Sequence, residues 1–201
     1  MKIYFIGIYR SDGPSTTVEL CSKSDLSSFG FFYRTPALEF MRFFSHTIAE
    51  RTEPNQRQQV EKQDTEYYGY VHKRSDQLSA VVVTDREYPQ RVAFALISKL
   101  LDEFSESFPP QVWKGAKEGG IQFDALADYI AKYQDPTQAD SIMKIHQTLD
   151  ETQAVLHQTI EAVLKRGEKL DDLISWSNEL SIQSKVFYSQ AKKTNSCCSI
   201  M

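Results

Sequence analysis

The chain has 201 residues, of which 41% are hydrophobic and 25% are charged, proportions typical of a soluble globular protein. Its net charge of −4 and isoelectric point near 5.6 disfavour binding to nucleic acid or to anionic lipid by charge alone. No stretch reaches the roughly 18 to 20 apolar residues that span a bilayer, and polar residues interrupt the amino-terminal apolar run, which argues against a signal peptide. We therefore expect a protein on the cytosolic side that contacts membranes without a spanning segment.

Residues 1–134 alternate between strand and helix patterns, which we interpret as one folded domain. Apolar runs bounded by turn residues predict strands at 2–10, 17–21, 58–62, 66–73 and 78–84. The β-branched run from Ala80 to Val83 is expected at the centre of the sheet, and Cys21 is expected to be a buried free thiol. Helices are predicted to begin at Thr35, as N-cap, near Tyr88 and at Phe123. The order predicts an α+β fold, a five-stranded antiparallel sheet with helices on both faces.

The pattern changes after Gln134-Asp135-Pro136, where proline ends the preceding helix. From residue 137 to about residue 195 there is no proline and a single glycine, which predicts one long helix. Such a helix would extend ~87 Å at 1.5 Å per residue, too far for a small domain to bury, so it needs partner helices. We divide the chain into a folded domain at 1–134, a coiled-coil motif at 135–196 and a tail at 197–201.

Alternating steps of three and four residues through this motif meet a seam of apolar and small hydroxyl side chains. Its principal apolar members, called the seam residues below, are Ile142, Ile145, Leu149, Leu156, Val163, Leu170, Leu173, Leu180 and Phe187. A seven-residue period of this kind favours left-handed supercoiling of several helices.

Arg166 is the exception in the seam. A guanidinium buried there costs several kcal/mol unless neighbouring helices supply hydrogen-bond acceptors. One interpretation is a stutter in the heptad pattern or a locally open seam. The other is a polar layer that fixes the axial register, in which the five donors of Arg166 meet side-chain carbonyls of partner helices.

The residues around Arg166, ETQAVLHQTIEAVLKRGEKLDDL, are similar to the SNARE motif of the R-SNARE (synaptobrevin) class. The first 134 residues resemble a profilin-like longin domain, through Tyr4 to Ser11, FGFF at Phe29 to Phe32 and KYQDP at Lys132 to Pro136. Together with the ending Cys197-Cys198-x-x-Met201, these motifs resemble those of the prenylated longin R-SNAREs without a transmembrane helix. The resemblance implies that Arg166 meets glutamines from three partner SNARE helices in a parallel four-helix bundle that drives vesicle-membrane fusion.

The last four residues, Cys198-Ser199-Ile200-Met201, match a prenylation signal and predict a farnesyl group on Cys198, followed by trimming and carboxyl methylation. A single lipid chain gives only reversible binding, so Cys197 is expected to carry a palmitoyl or second prenyl group. Beyond these covalent lipids we expect no cofactor. The anchor predicts a protein shared between the cytoplasm and the cytosolic face of the Golgi, the endoplasmic reticulum and the endosome or vacuole.

The first predicted helix carries three phenylalanines, Phe40, Phe43 and Phe44. Each suits an ordinary core position, and together they also suit an apolar groove. Phe43 lies off the main helical stripe and is the strongest candidate for a groove. We expect this groove to hold the lipid or the SNARE motif within the same molecule, so that the longin domain inhibits its own chain.

Two other functions stay open on the sequence: a prenylated coiled-coil tether, and a longin domain that accelerates acyl transfer onto cysteines. No catalytic constellation stands out. Asp102-Glu103 and Asp171-Asp172 are expected on solvated helix faces, and Gly119-Gly120 lacks the Lys-Ser/Thr of a phosphate loop. The histidines, at 46, 72, 146 and 157, show no metal-ligand spacing. We therefore predict a protein that is not an enzyme.

Overall fold

The computed structural model describes residues 2–13, 16–62, 65–134, 154–178, 180–186 and 188–189. The strands within them are β1 Ile3–Gly13, β2 Thr16–Ser24, β3 Gln56–Glu61, β4 Tyr67–Lys73, β5 Leu78–Asp85 and β6 Val155–Thr159. They form a sheet in the order β2-β1-β5-β4-β3-β6. Only the pairing of β3 with β6 is parallel among these strands; the other pairings are antiparallel.

Helices cover both faces of the sheet. They are α1 Arg34–Arg51, α2 Gln90–Ser107, α3 Pro110–Trp113, α4 Ala125–Tyr133, α5 Ile160–Val163 and α6 Leu170–Trp176. A 3₁₀ turn, Phe31–Tyr33, leads directly into α1. The predicted α+β sheet with helices on both faces is thus confirmed.

The core follows the alternation of side chains along the strands. Val82 points into the cluster that α2 and α4 cover, whereas Val81 and Val83 point into the cluster that α1 covers. β5 lies between β1 and β4 and is almost entirely buried, which confirms the central position expected for Ala80 to Val83.

Gly69 on β4 allows α1 to lie close to the sheet. A Cβ atom at this position would lie 2.6 Å from a ring carbon of Phe44 and 2.8 Å from Cδ1 of Ile48. The absence of a side chain on Gly69 therefore determines how closely α1 approaches the sheet. It also determines how far the outer side of α1 lies from the sheet.

The continuous helix expected from residue 137 to about residue 195 is not the conformation of the described part of that segment. Residues 155–176 instead contain β6, α5 and α6, and the sheet has six strands where five were expected. The physical reason is that β3 presents the backbone donors and acceptors of a sheet edge, which β6 pairs. The same docking buries five apolar side chains after β6: Ile160, Leu164, Leu170, Ile174 and Leu180.

The predicted cap of the first helix is also wrong. α1 begins at Arg34, with Tyr33 at the cap position and no hydrogen bond from a capping side chain. Because the chain already turns as a 3₁₀ helix through Phe31–Tyr33, it enters α1 without an extended cap residue. Cys21 is a buried free thiol as expected, and burial raises its pKa to about 12.

Candidate functional site

The candidate site is the surface of α1 and β3 covered by the described residues of 154–189, called the docked segment below. β6 begins the contact by pairing with β3 from Val155 opposite Arg57 to Thr159 opposite Glu61. This is strand addition to a sheet edge, a common way for proteins to bind extended peptides. Here the added strand comes from the same chain.

The chain leaves β6 through a short capped helix. The side chain of Thr159 accepts a hydrogen bond from the backbone nitrogen of Ala162 at 3.3 Å and so caps α5. Ile160 and Leu164, at the two ends of α5, are buried in the cluster that includes Phe44 and Ile48 of α1. The cap turns these two side chains toward the domain directly after the strand.

A turn follows, and Arg166 lies in it, exposed to solvent. Gly167 has φ of +91°, a conformation that side-chain-bearing residues rarely adopt. The carboxylate of Glu168 accepts from the backbone nitrogen of Lys165 at 3.0 Å and lies 3.3 Å from the Arg51 guanidinium of α1. The residue expected at the centre of a helical bundle is thus held outside any helix in this conformation.

α6 then returns along α1. Leu170 and Ile174 are buried against the domain, while Trp176 is 74% exposed. Further along, Leu180 is also buried in this cluster.

Glu39 of α1 accepts two hydrogen bonds from the end of the docked segment. Its Oε2 atom accepts from the backbone nitrogen of Ser181 at 2.8 Å and from the hydroxyl of Ser184 at 2.6 Å. Partial burial raises the pKa of Glu39, but the hydrogen bonds from Ser184 and Ser181 outweigh it, and the net shift of the pKa is downward. The charged carboxylate is therefore the form that favours docking.

Tyr188 adds an aromatic contact. Its ring stacks on Phe40 with centroids 5.4 Å apart, and the Lys62 ammonium lies 5.0 Å from the ring centroid. The Tyr188 hydroxyl donates to Asp171 Oδ1 at 2.8 Å, which links the end of the docked segment to the start of α6.

The three phenylalanines of α1 lie in different surroundings. Phe40 and Phe44 are buried, in agreement with the interpretation that they are ordinary core residues. Phe43 is partly buried and lines a cleft of about 390 Å³ between α1 and α6, together with Leu173 and Trp176. Of the three, Phe43 is the one whose side chain borders open space.

The seam residues are divided by this docking. Leu170 and Leu180 are buried, Val163 and Leu173 are partly buried, and Leu156 is 40% exposed on β6. The remaining predicted positions lie outside the described residues: Ile142, Ile145, Leu149, Phe187, Cys197 and Cys198.

Sequence reasoning missed three contact residues, Ile160, Leu164 and Ile174, which are buried although none belongs to the seam. The signal available in the sequence was that these three apolar residues lie outside the heptad pattern. It indicates that the motif carries a second apolar surface besides the one suited to a bundle.

Other sequence candidates have structural partners. Asp102 lies 3.3 Å from Arg74, in an exposed ion pair. Within the described ranges, no group of three or more His, Cys, Asp or Glu side chains is arranged to hold a metal ion. No helix in the same ranges is long and apolar enough to cross a bilayer.

Two family models match the chain. The family model for the longin, or regulated-SNARE-like, domain matches residues 26–130, and the synaptobrevin model matches residues 141–199. The chain is 53% identical to Synaptobrevin homolog ykt6 of Schizosaccharomyces pombe, 52% to Synaptobrevin homolog YKT6 of Eremothecium gossypii and 50% to Synaptobrevin homolog YKT6 of Saccharomyces cerevisiae. Each comparison covers 100% of both chains.

The chain therefore belongs to the synaptobrevin family, as a longin-domain R-SNARE of vesicle fusion. SNAREs are a non-enzymatic class, and they work by assembling helices from several proteins into one bundle. The docked segment lies within the matched synaptobrevin region.

Proposed function

We propose that this R-SNARE is held inactive by its own longin domain and becomes active when the docked segment is released. The observation that carries the proposal is the burial of Leu170 and Leu180 against the domain. These side chains belong to the seam, and a side chain packed on α1 is not available to a bundle. Docking and bundle assembly therefore compete for the same residues.

Release allows the motif to become the continuous helix that its heptad pattern favours. Arg166 then enters the bundle as its central layer and meets glutamines from three partner helices. A charged group in an apolar stack is tolerated only with such acceptors, so the layer also selects partners and register. The exposed position of Arg166 in the turn leaves it free to make this change.

Covalent lipids complete the proposal. A farnesyl group on Cys198 and a palmitoyl or second prenyl group on Cys197 attach the released protein to the cytosolic face of the Golgi, the endoplasmic reticulum and the endosome or vacuole. Cys198 lies nine residues beyond Ser189, a reach of up to ~30 Å. The cleft beside Phe43 has a volume within the usual range of small-molecule sites, roughly 300 to 1,000 Å³, so it suits one lipid chain in the closed state.

The test uses two matched substitutions in the docked segment. Ile174 and Ile182 both lie off the seam, but Ile174 is 3% exposed and Ile182 is 81% exposed. Ile174→Ser should destabilise the closed state by about 2–4 kcal/mol, because it removes a buried side chain, whereas Ile182→Ser should leave it unchanged. The measurement is the rate of bundle assembly by the full chain with three Gln-bearing SNARE motifs, chosen because they assemble with a peptide of residues 137–196.

Ile174→Ser should speed assembly by the full chain and leave assembly by the peptide unchanged. Equal rates for the wild type and both variants would contradict inhibition by docking. Slower assembly by the peptide would show that Ile174 acts in the bundle instead.

A further inference from the structure

The 3₁₀ turn before α1 presents an apolar surface to solvent. Phe31 is 78% exposed and Phe32 is 87% exposed, the latter being the most exposed large apolar side chain in the described part of the chain. Their rings meet edge to face with centroids 5.6 Å apart. Adjacent exposed phenylalanines are unfavourable in water, and contiguous apolar surface of this kind usually marks a contact site.

The surrounding loop is held in shape without these two rings. Arg34 donates from Nε to the carbonyl of Phe29 at 3.1 Å and from Nη2 to the carbonyl of Ser27 at 3.3 Å. The Phe29 ring packs edge to face on Tyr4 at 5.5 Å between centroids. Phe31 and Phe32 are thus presented by a fixed turn rather than left over from the packing of the core.

The charge around the turn favours a membrane surface. The chain carries a net charge of −4, yet residues 26–38 contain no acidic side chain and include Arg34. The two flanking carboxylates have partners within the protein: Asp25 accepts from Ser27 and Gln134, and Glu39 accepts from Ser181 and Ser184. Exposed aromatic rings beside a cation are a composition found in segments that lie in the interface of a bilayer. A strongly acidic neighbourhood would have opposed contact with anionic lipid.

The turn also lies near the point from which the lipidated tail departs. Tyr188 stacks on Phe40, which is six residues, or ~9 Å along the helix axis, from Arg34. Cys198 follows Tyr188 by ten residues and so reaches up to ~33 Å from that point. A lipid on Cys198 and the rings of the turn are therefore able to contact one bilayer together.

We propose that Phe31 and Phe32 insert into the interface of the membrane on which the tail is anchored. The occupant of this surface is the cytosolic leaflet, and the proposal rests on the lipid anchor proposed above. Since one lipid chain gives only reversible binding, the two rings supply a second contact from the folded domain. They also fix the orientation in which the longin domain faces the membrane.

The first experiment measures binding of the farnesylated full chain to vesicles of phosphatidylcholine and phosphatidylserine. Phe31→Ser combined with Phe32→Ser should lower the partition coefficient on the order of tenfold, given the apolar area that two inserted rings remove from water. Val112→Ser is the control, because Val112 is also exposed but lies on α3, whose Trp113 packs in the core cluster on the opposite face of the sheet from α1. An unchanged partition coefficient in the double variant, or an equal loss in the control, would overturn the proposal.

The second experiment separates this surface from the natural anchor. The full chain is bound through a carboxyl-terminal histidine tag to vesicles that contain nickel-chelating and brominated lipids. Phe32→Trp should then show fluorescence quenching by bromine beyond that of the parent protein, whereas Val112→Trp should not. Quenching would support the surface even if Cys198 proved to carry no farnesyl group, a result that would refute the anchor alone. Absence of quenching would refute the surface, whether or not Cys198 is farnesylated.

Discussion

Glu39 shows how a single carboxylate makes docking sensitive to charge. It accepts from both Ser181 and Ser184, and hydrogen bonds to a charged acceptor are stronger than neutral ones. Because the pKa of Glu39 is lowered in the closed state, the closed state binds fewer protons than the open state. Its contribution is complete above the ordinary carboxyl pKa of 4.5 and is lost as the pH falls through the lowered value.

We therefore expect Glu39→Gln to weaken docking by about 1 kcal/mol at neutral pH. The difference from the wild type should stay constant above pH 5 and shrink as the pH falls below about 4.5. Hydrogen exchange of the β6 amides across this pH range measures the closing equilibrium. Glu118→Gln, at an exposed site that is not part of the docked contact, is the matched control. A difference that persists unchanged at low pH would contradict the role of the Glu39 charge.

Predictions about single residues are confirmed where the burial of the residue depends on the pattern of its own strand or helix. Burial of Cys21 follows from its place in an apolar strand, and burial of Phe40 and Phe44 follows from helical spacing. Phe43 is the strongest groove candidate in the sequence because it lies off the main helical stripe, but the cleft that it lines is completed by α6, whose docked position the local pattern does not describe. The burial of Ile174 likewise needs a docking surface that the heptad pattern does not describe.

At the scale of elements, the strands and the three longer helices of the first domain are predicted to within a few residues because their period-2 and helical patterns are local, whereas the one-turn helix α3 was not predicted. β6 could not be predicted, since Val155–Thr159 carries the seven-residue pattern of a helix. It becomes a strand because the edge of β3 satisfies its backbone groups, a non-local interaction that overrides local preference.

The turn at Gly167 must change its backbone conformation if the docked segment becomes helical on release. With φ of +91°, an alanine there would cost about 1–2 kcal/mol in the closed state. In a continuous helix alanine is favoured over glycine by about 1 kcal/mol. Gly167→Ala should therefore shift the chain toward the open, helical state by about 2–3 kcal/mol through both effects.

The measurements for this variant are the rate of bundle assembly by the full chain and the Tm of the assembled bundle, both of which should rise. Gly119→Ala is the matched control, because Gly119 also has a positive φ, of +62°, but lies outside the docked segment. It should lower the stability of the longin domain without changing the Tm of the bundle. Assembly that is no faster in Gly167→Ala would argue that the turn does not limit release.

At the scale of the whole molecule, one sequence carries two sets of apolar positions. The seam suits a bundle of helices, and the off-seam set of Ile160, Leu164 and Ile174 suits the longin domain. Leu170 and Leu180 belong to the predicted seam and are also buried on docking, and the proposed competition between the two assemblies rests on them. The heptad repeat predicts the first assembly, whereas the second depends on contacts between distant parts of the chain.

The proposed partition between cytosol and membrane depends on both the docked segment and the lipid. If the lipid binds in the cleft beside Phe43, Phe43→Glu should place a charge against the lipid chain and the side chain of Leu173. Burying an unpaired carboxylate costs several kcal/mol, so the lipid and the docked segment should both be released. Lipidated protein should then move from the soluble to the membrane fraction, as measured by flotation with vesicles.

Ala127→Glu is the control for this partition. It adds the same charge at an exposed site on α4, on the opposite face of the sheet from α1. A shift to membranes in Phe43→Glu alone, and only when Cys198 is farnesylated, would tie the cleft to the lipid. The same shift in protein without the lipid would assign Phe43 to holding the docked segment, and an unchanged partition would exclude the cleft from either task.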